Sequence, residues 1–200
     1  MNGAEQMKKL FWERYDWFKT VIIAFFIVTL VRQYVFKPLK VEGQSMYSTL
    51  HDRDSIILWE LGSKPSQFDV IVYEYAEAVF HVKRIIGLPG QNIRYENDQL
   101  YIDGLAVAEP FLKLHQQQPV MNSYWDIDSR LFTENFVLQD ICDHNGFTNC
   151  EVIPEGYFLV LGDNRPESWD SRHVGLIRED QLKGTAVWVQ WPLSRFGPIQ

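Results

Sequence analysis

The chain has 200 residues, 46% of them hydrophobic and 14% aromatic, with a net charge of −7. That length makes one folded domain the default, with room for a second small lobe. The aromatic content excludes a disordered chain, and the acidic balance gives no electrostatic footprint for nucleic acid, which argues against a repressor.

The first element is apolar. Trp17 to Phe36, WFKTVIIAFFIVTLVRQYVF, has a strictly apolar heart from Val21 to Val31 with Thr29 inside it. Lys19 and Arg32 stand where long side chains snorkel to an interface, and Trp12, Tyr15, Trp17 and Tyr34 supply interfacial aromatics on both sides. A helix of about 20 residues spans about 30 Å, one hydrocarbon core. A cleaved signal peptide would need small residues after the core, and RQYVFKPLK has none. The pattern predicts an uncleaved transmembrane anchor at 17–36, an N-terminal segment at 1–16 and a folded body at 37–200. Lys8, Lys9, Arg14 and Lys19 before the core are balanced by Arg32, Lys37 and Lys40 after it, so charge leaves the orientation open.

Next comes Val41 to Leu50, VEGQSMYSTL. A serine after a turn signal is usually a turn residue bonding its own backbone. Position singles out Ser45: the stretch from Phe36 reaches at most about 30 Å when extended, which tethers Ser45 near a membrane surface.

From residue 40 onward the chain reads as strands rich in Val, Ile, Tyr and Phe, separated by turns. The expected strands are Ser55–Glu60, Asp69–Tyr75, Phe80–Ile86, Asn92–Glu96, Leu100–Asp103, Phe136–Gln139, Tyr157–Leu161 and Thr185–Trp191. Helical periodicity beyond the anchor is limited to a turn near Arg178–Lys183. The expected fold class is mostly β, an antiparallel sheet preceded by one transmembrane helix.

Within the third strand, alternation puts Lys83 on one face with His81 and Ile85, and Arg84 on the other with Val82 and Ile86. Strand lysines are usually solvated. Lysine is nonetheless the basic side chain here that burial could neutralise, which arginine is not. At its ordinary pKa only roughly one lysine in a few thousand is neutral at pH 7, so a general base needs that pKa lowered by about three units.

The stretch at 109–154 is polar and weakly alternating, and reads as a loop-rich insertion. It carries both cysteines, Cys142 and Cys150. They admit a loop disulfide outside the cytoplasm, two free thiols, or a metal site with His144, although that spacing matches no common zinc pattern. No cofactor motif is present, neither a phosphate loop nor a metal cluster.

The last segment of interest, Leu161 to Gly175, LGDNRPESWDSRHVG, follows an apolar strand and crowds polar side chains into one loop. Its bland reading is a hydrogen-bonded turn with an Asp170–Arg172 ion pair. A hydroxyl from such a loop can also orient a neutral lysine. A rival serine–histidine–aspartate set would use His51, His81 or His173 with Asp170, but no G-x-S-x-G elbow accompanies it.

Together three of these segments resemble the ordered boxes of the bacterial type I signal peptidases. GQSMYSTL is similar to the G-x-S-M-x-P-T-L nucleophile box, HVKRIIGLPG to the lysine box, and GDNRPESWDSRHVG to G-D-N-R-x-x-S-x-D-S-R-x-x-G. The resemblance covers nearly the whole chain and is weakest at 109–154. It implies a cytoplasmic N-terminus, one membrane anchor and an extracytoplasmic β catalytic domain. It further implies a serine endopeptidase without cofactor or metal that cleaves signal peptides from exported preproteins after small residues at −1 and −3. Carried over, Ser45 is the nucleophile, Lys83 the general base and Ser168 the lysine-orienting hydroxyl, while the Ser45 N–H serves the oxyanion. Gly43, Met46, Asp163, Asn164, Arg165, Asp170, Ser171 and Arg172 support the site. Gly43 stands where some relatives carry a second, hydroxyl oxyanion donor, so that donor is unassigned. Ser48 replaces the proline of the first box, and Pro166 and Glu167 fill variable positions of the third. The alternative within the family is a signal-peptidase-like assembly factor acting on surface pili, in contact with pilus subunits or secretion machinery. The self-cleaving SOS repressors share the serine–lysine pair but would open with a basic DNA-binding domain.

Overall fold

The computed structural model describes residues 15–29, 36–59, 64–112 and 131–199. It divides into two units, one ending at Lys37 and one running from Pro38 to Gln200.

In the first unit residues 15–29 form a helix, α1. Its apolar side chains, among them Trp17, Phe18, Phe25, Phe26 and Val28, are exposed. Thr20 and Thr29 turn their hydroxyls back onto the carbonyls of Asp16 and Phe25, which hides two polar groups along this apolar stretch. No helix among the described residues is long and apolar enough to cross a membrane. The C-terminal part of the expected anchor, residues 30–35, lies outside the described residues.

The body is built on strands. In chain order these are β1 (Phe36–Lys40), β2 (Ser55–Trp59), β3 (Val70–Ala76), β4 (Val79–Gly87), β5 (Ile93–Glu96), β6 (Gln99–Ile102), β7 (Leu105–Val107), β8 (Phe136–Val137), β9 (Tyr157–Leu161), β10 (Ile177–Arg178), β11 (Leu182–Trp191) and β12 (Gly197–Pro198). Among the described residues the larger sheet runs β1-β2-β11-β3-β4-β9-β10, with β12 beside β11, and a smaller one runs β7-β6-β5-β8. The pairings with a defined register are antiparallel, as the alternation predicts.

The differences from the expected strands have local causes. Asp69 stays out of β3 because its carboxylate accepts the Ser66 N–H and closes the preceding turn. Asp103 ends β6 because it and Gly104 adopt positive φ in the β6–β7 turn. The expected strand Phe136–Gln139 is corrected: only Phe136 and Val137 pair, and helix α2 (Leu138–Asp143) follows at once. Its buried face, Leu138, Ile141 and Cys142, spans little more than one helical turn, too little for periodicity to stand out. The turn near Arg178–Lys183 is a 3-10 turn at Glu179–Gln181 that feeds β11. A second short helix, α3 (Ser171–Val174), lies in the polar loop after β9.

Of the loop-rich stretch 109–154, residues 113–130 lie outside the described residues. The rest is ordered around a core: Phe136, Leu138, Ile141, Cys142, Cys150 and Ile153 are buried with residues of β5, β6 and β9. Cys142 and Cys150 are joined as a disulfide with Cα atoms 6.2 Å apart, so neither offers a thiolate to a metal. Closing a loop of this length stabilises by about 2–3 kcal/mol in the chain-entropy account. Replacing both cysteines with serine should therefore lower the melting temperature by several degrees, which calorimetry with and without reductant checks; an unchanged midpoint would show the bridge to be energetically idle.

Candidate active site

The site begins in the turn between β1 and β2. Val41 and Leu50 are buried at its two ends, and Met46 is buried in the middle against Ile56, Val70 and Val72. Backbone bonds from Tyr47 to Gln44 and from Leu50 to Met46 wind the segment tightly. With Met46 driven inward, its neighbour Ser45 is left at the surface of the turn. Gly43 takes φ +89, a conformation costly for any side chain, and its N–H donates to Asp52. The Tyr47–Ser48 peptide bond is cis.

Lys83 arrives from β4, paired across to Ile71 of β3. It is 4% exposed. Its Nζ donates to Ser45 Oγ at 2.8 Å and to the Val82 carbonyl at 3.1 Å. Burial brings its pKa from the ordinary 10.5 down to about 8, against the opposing pull of the Asp170 and Asp163 carboxylates. At pH 7 roughly a tenth of such amines are neutral, so the amine beside the hydroxyl is able to accept a proton. The histidines are not its rivals. His51 stacks on Tyr47, His81 meets the Tyr73 hydroxyl and His173 stacks on Trp169, while the partner of Ser45 Oγ is Lys83.

The loop after β9 clamps this pair from behind. The Asn164 N–H donates to the Ser45 carbonyl at 3.0 Å and its side-chain amide to the Gln44 carbonyl at 3.1 Å. Gly162 lies so close to the Ser45 carbonyl and the Ser168 side chain that a Cβ there would collide with both. Asp170 caps α3 through the Arg172 N–H, accepts the Gly162 N–H and holds the Arg172 guanidinium with both oxygens. Burial alone would raise Asp170, but Arg172, Gly162 and Ser168 outweigh it and hold the carboxyl below its ordinary value. The Ser171 hydroxyl accepts the Val160 N–H and ties the start of α3 to β9.

Ser168 is buried between these groups, and its Oγ completes no hydrogen bond of ordinary geometry with the described residues. In this structure Lys83 thus bonds Ser45 and Val82, not Ser168.

Three supports, Arg84, Thr49 and Glu109, were not assigned from sequence. Arg84, adjacent to the lysine, is fully buried and grips Asp163 with Nε at 2.9 Å and a terminal nitrogen at 2.7 Å. Thr49 donates to the same carboxylate at 2.5 Å, linking it to the nucleophile turn. Arg165, also buried, pairs with Glu109 and reaches Tyr95 and Thr133, so the smaller sheet braces the polar loop. One signal was readable: an arginine flanked by Val82, Ile85 and Ile86 in a buried strand must find a buried anion.

Ser45 and Lys83 face a groove of about 660 Å³ whose walls are Leu39–Met46 and Ala78–Lys83, with Glu167 and Trp169 beside them. β9 pairs with β4 from Arg84 onward, so among the described residues no strand covers that edge of β4 before Arg84.

A buried lysine held on a serine in a peptide-sized groove is a peptidase arrangement, and comparison with known proteins agrees. The family model described as signal peptidase, peptidase S26, matches residues 14–191. The chain belongs to this signal peptidase family. It is 37% identical to signal peptidase I of Bacillus caldolyticus over 186 residues, 92% of each chain. It is 35% identical to signal peptidase IB of Staphylococcus aureus, over 95% of this chain and 94% of that one. Among solved structures, a signal peptidase I from Enterococcus faecalis V583 matches with a TM-score of 0.50 and 32% identity, covering 62% of this chain and 97% of the other.

Proposed function

We propose that Ser45 and Lys83 carry out the reaction of this family, removing signal peptides from exported preproteins by serine acyl-enzyme chemistry. The observation that carries this reading is the 2.8 Å contact between Ser45 Oγ and the buried Lys83 amine. The preprotein lies extended in the groove, adding its backbone to the uncovered edge of β4. Neutral Lys83 accepts the Ser45 proton as Oγ attacks the scissile carbonyl. The Ser45 N–H, which makes no hydrogen bond with the described residues, donates to the oxyanion. The lysine ammonium then protonates the departing amine, leaving the signal peptide as an ester on Ser45. Lys83, neutral again, takes a proton from water as it attacks the ester and returns it to Ser45.

In this reading Asp163, Asn164, Arg165, Asp170, Ser171 and Arg172 hold the loop, Gly43 and Met46 shape the turn, and the buried Ser168 hydroxyl is the group that orients the amine during the reaction. Residues 17–36 anchor the protein in lipid, with the body at 37–200 on the extracytoplasmic side. The exposed apolar side chains of α1 and the Cys142–Cys150 disulfide, a bond of oxidising compartments, support that placement. A pilus-assembly role is the weaker reading, because the dyad geometry is intact and the relatives compared above are named as peptidases.

The test is preprotein cleavage in detergent or liposomes by wild type and Ser45→Ala side by side. Equal cleavage by the two would sink the mechanism. The pH profile adds a second check. The base must be neutral, so kcat/KM should rise about tenfold per unit below pH 8 and level off above it, following the Lys83 pKa of about 8. A profile still rising to pH 10 would contradict a buried amine.

A further inference from the structure

We propose that Trp169 forms a subsite for the first residue of the mature chain, on the leaving side of the scissile bond, and favours an apolar or aromatic side chain there. This rests on the peptidase reading of Ser45 and Lys83. Trp169 sits between two buried residues, Ser168 and Asp170, yet is 43% exposed. Its indole is not loose: it stacks on His173, ring centroids 4.5 Å apart and 20° from parallel. His173 belongs to α3, and Asp170 caps that helix. The result is a flat apolar wall fixed by its own loop, lining the same groove as Ser45 and Lys83.

Its side of the bond follows from the direction of the groove. The two walls, Leu39–Met46 and Ala78–Lys83, both run with rising residue number toward the dyad. Their far arm begins at Leu39, three residues along the chain from the end of the anchor segment at 36. That arm suits the membrane-bound signal peptide. Trp169 follows Ser168, whose side chain and the Ser45 carbonyl both crowd Gly162, so it stands at the dyad end and is left for the mature chain. The Glu167 carboxylate beside it sets the same end against an acidic residue.

The test uses preproteins identical except for Phe, Ala or Asp at the first mature position, cleaved by full-length wild type, Trp169→Ala and Trp169→Phe in detergent micelles. In wild type, kcat/KM should favour Phe over Ala about fivefold, the size of one aromatic contact. Trp169→Ala should bring the Phe/Ala ratio close to one, and Trp169→Phe should keep most of it. The same ratio in wild type and Trp169→Ala overturns the subsite. A binding arm separates this from the catalytic reading. Labelled peptides of the mature N-terminus bound to Ser45→Ala should show the same Phe preference by fluorescence polarisation, lost in Ser45→Ala/Trp169→Ala. Should wild type cleave nothing, the peptidase reading falls, and the polarisation ratio alone decides the subsite: a preserved preference in the double variant overturns it.

Discussion

Lys83→Met should lower kcat by about 10^4-fold or more, as should Ser45→Ala, yet the lysine change alone should make the protein more stable. Holding an amine whose pKa has come down from 10.5 to about 8 costs about 3 kcal/mol at neutral pH, because the charged form is the one burial penalises. Methionine fills similar space without that cost, while Ser45 and the Val82 carbonyl each lose a hydrogen bond worth about 1 kcal/mol. A net gain of about 1–2 kcal/mol remains. The sign with pH is fixed by linkage. The unfolded lysine binds its proton more tightly than the folded one, so wild-type stability rises between pH 8 and 10.5 and carries the full cost below pH 8. Denaturant titrations of wild type and Lys83→Met across that range check this: the variant's advantage should shrink above pH 8 and reverse at about pH 9, where the falling cost of burial no longer exceeds the two lost hydrogen bonds. A lysine variant less stable at pH 7 would mean that the amine is not desolvated.

Arg84→Met should be the most damaging change away from the reacting atoms, costing about 3–5 kcal/mol in stability. It strands Asp163 as a buried anion beneath the site, and Thr49 alone cannot compensate for the lost guanidinium. Asp163 lies in the loop that bonds the Ser45 carbonyl, so even folded molecules should lose about a hundredfold in kcat through a small displacement of the nucleophile. Removing both charges, Arg84→Met with Asp163→Leu, should recover much of the stability but not the rate. Urea unfolding combined with single-turnover cleavage separates the two effects. A single Arg84 variant of wild-type stability would show that this ion pair adds nothing.

Much of this was readable from the chain, and what was not has a physical reason. The antiparallel strands were legible because alternating Val, Ile and Tyr announce a half-buried face, and Tyr157–Leu161 was placed to the residue. α2 was hidden because one buried face of a six-residue helix imitates a short strand. Strands of two or three residues, such as β7 and β10, leave no period to read. Ser45 and Lys83 emerged from residue type, order and resemblance, whereas their contact joins residues 38 apart that no local pattern links. Ser168 shows the limit from the other side. Its box suggested a bond to the lysine, but the partners an amine takes in one structure, here Ser45 and Val82, are set by packing that no motif encodes. Arg84, Thr49 and Glu109 were overlooked because each acts through a partner distant in sequence.

The order of the larger sheet bears on when the enzyme can act. Ser45 lies between β1 and β2, and Lys83 lies on β4, which pairs with β3. These two strand pairs are joined in the sheet by β11, which follows both in the chain. Until Leu182–Trp191 slots between them, nothing in the sheet sets the serine's half against the lysine's half. Such non-local closure is slow and comes after the local hairpins. Before β11 docks, the sheet therefore does not hold Ser45 against Lys83, and the contact on which the proposed chemistry depends is a product of sheet closure, not of either hairpin alone.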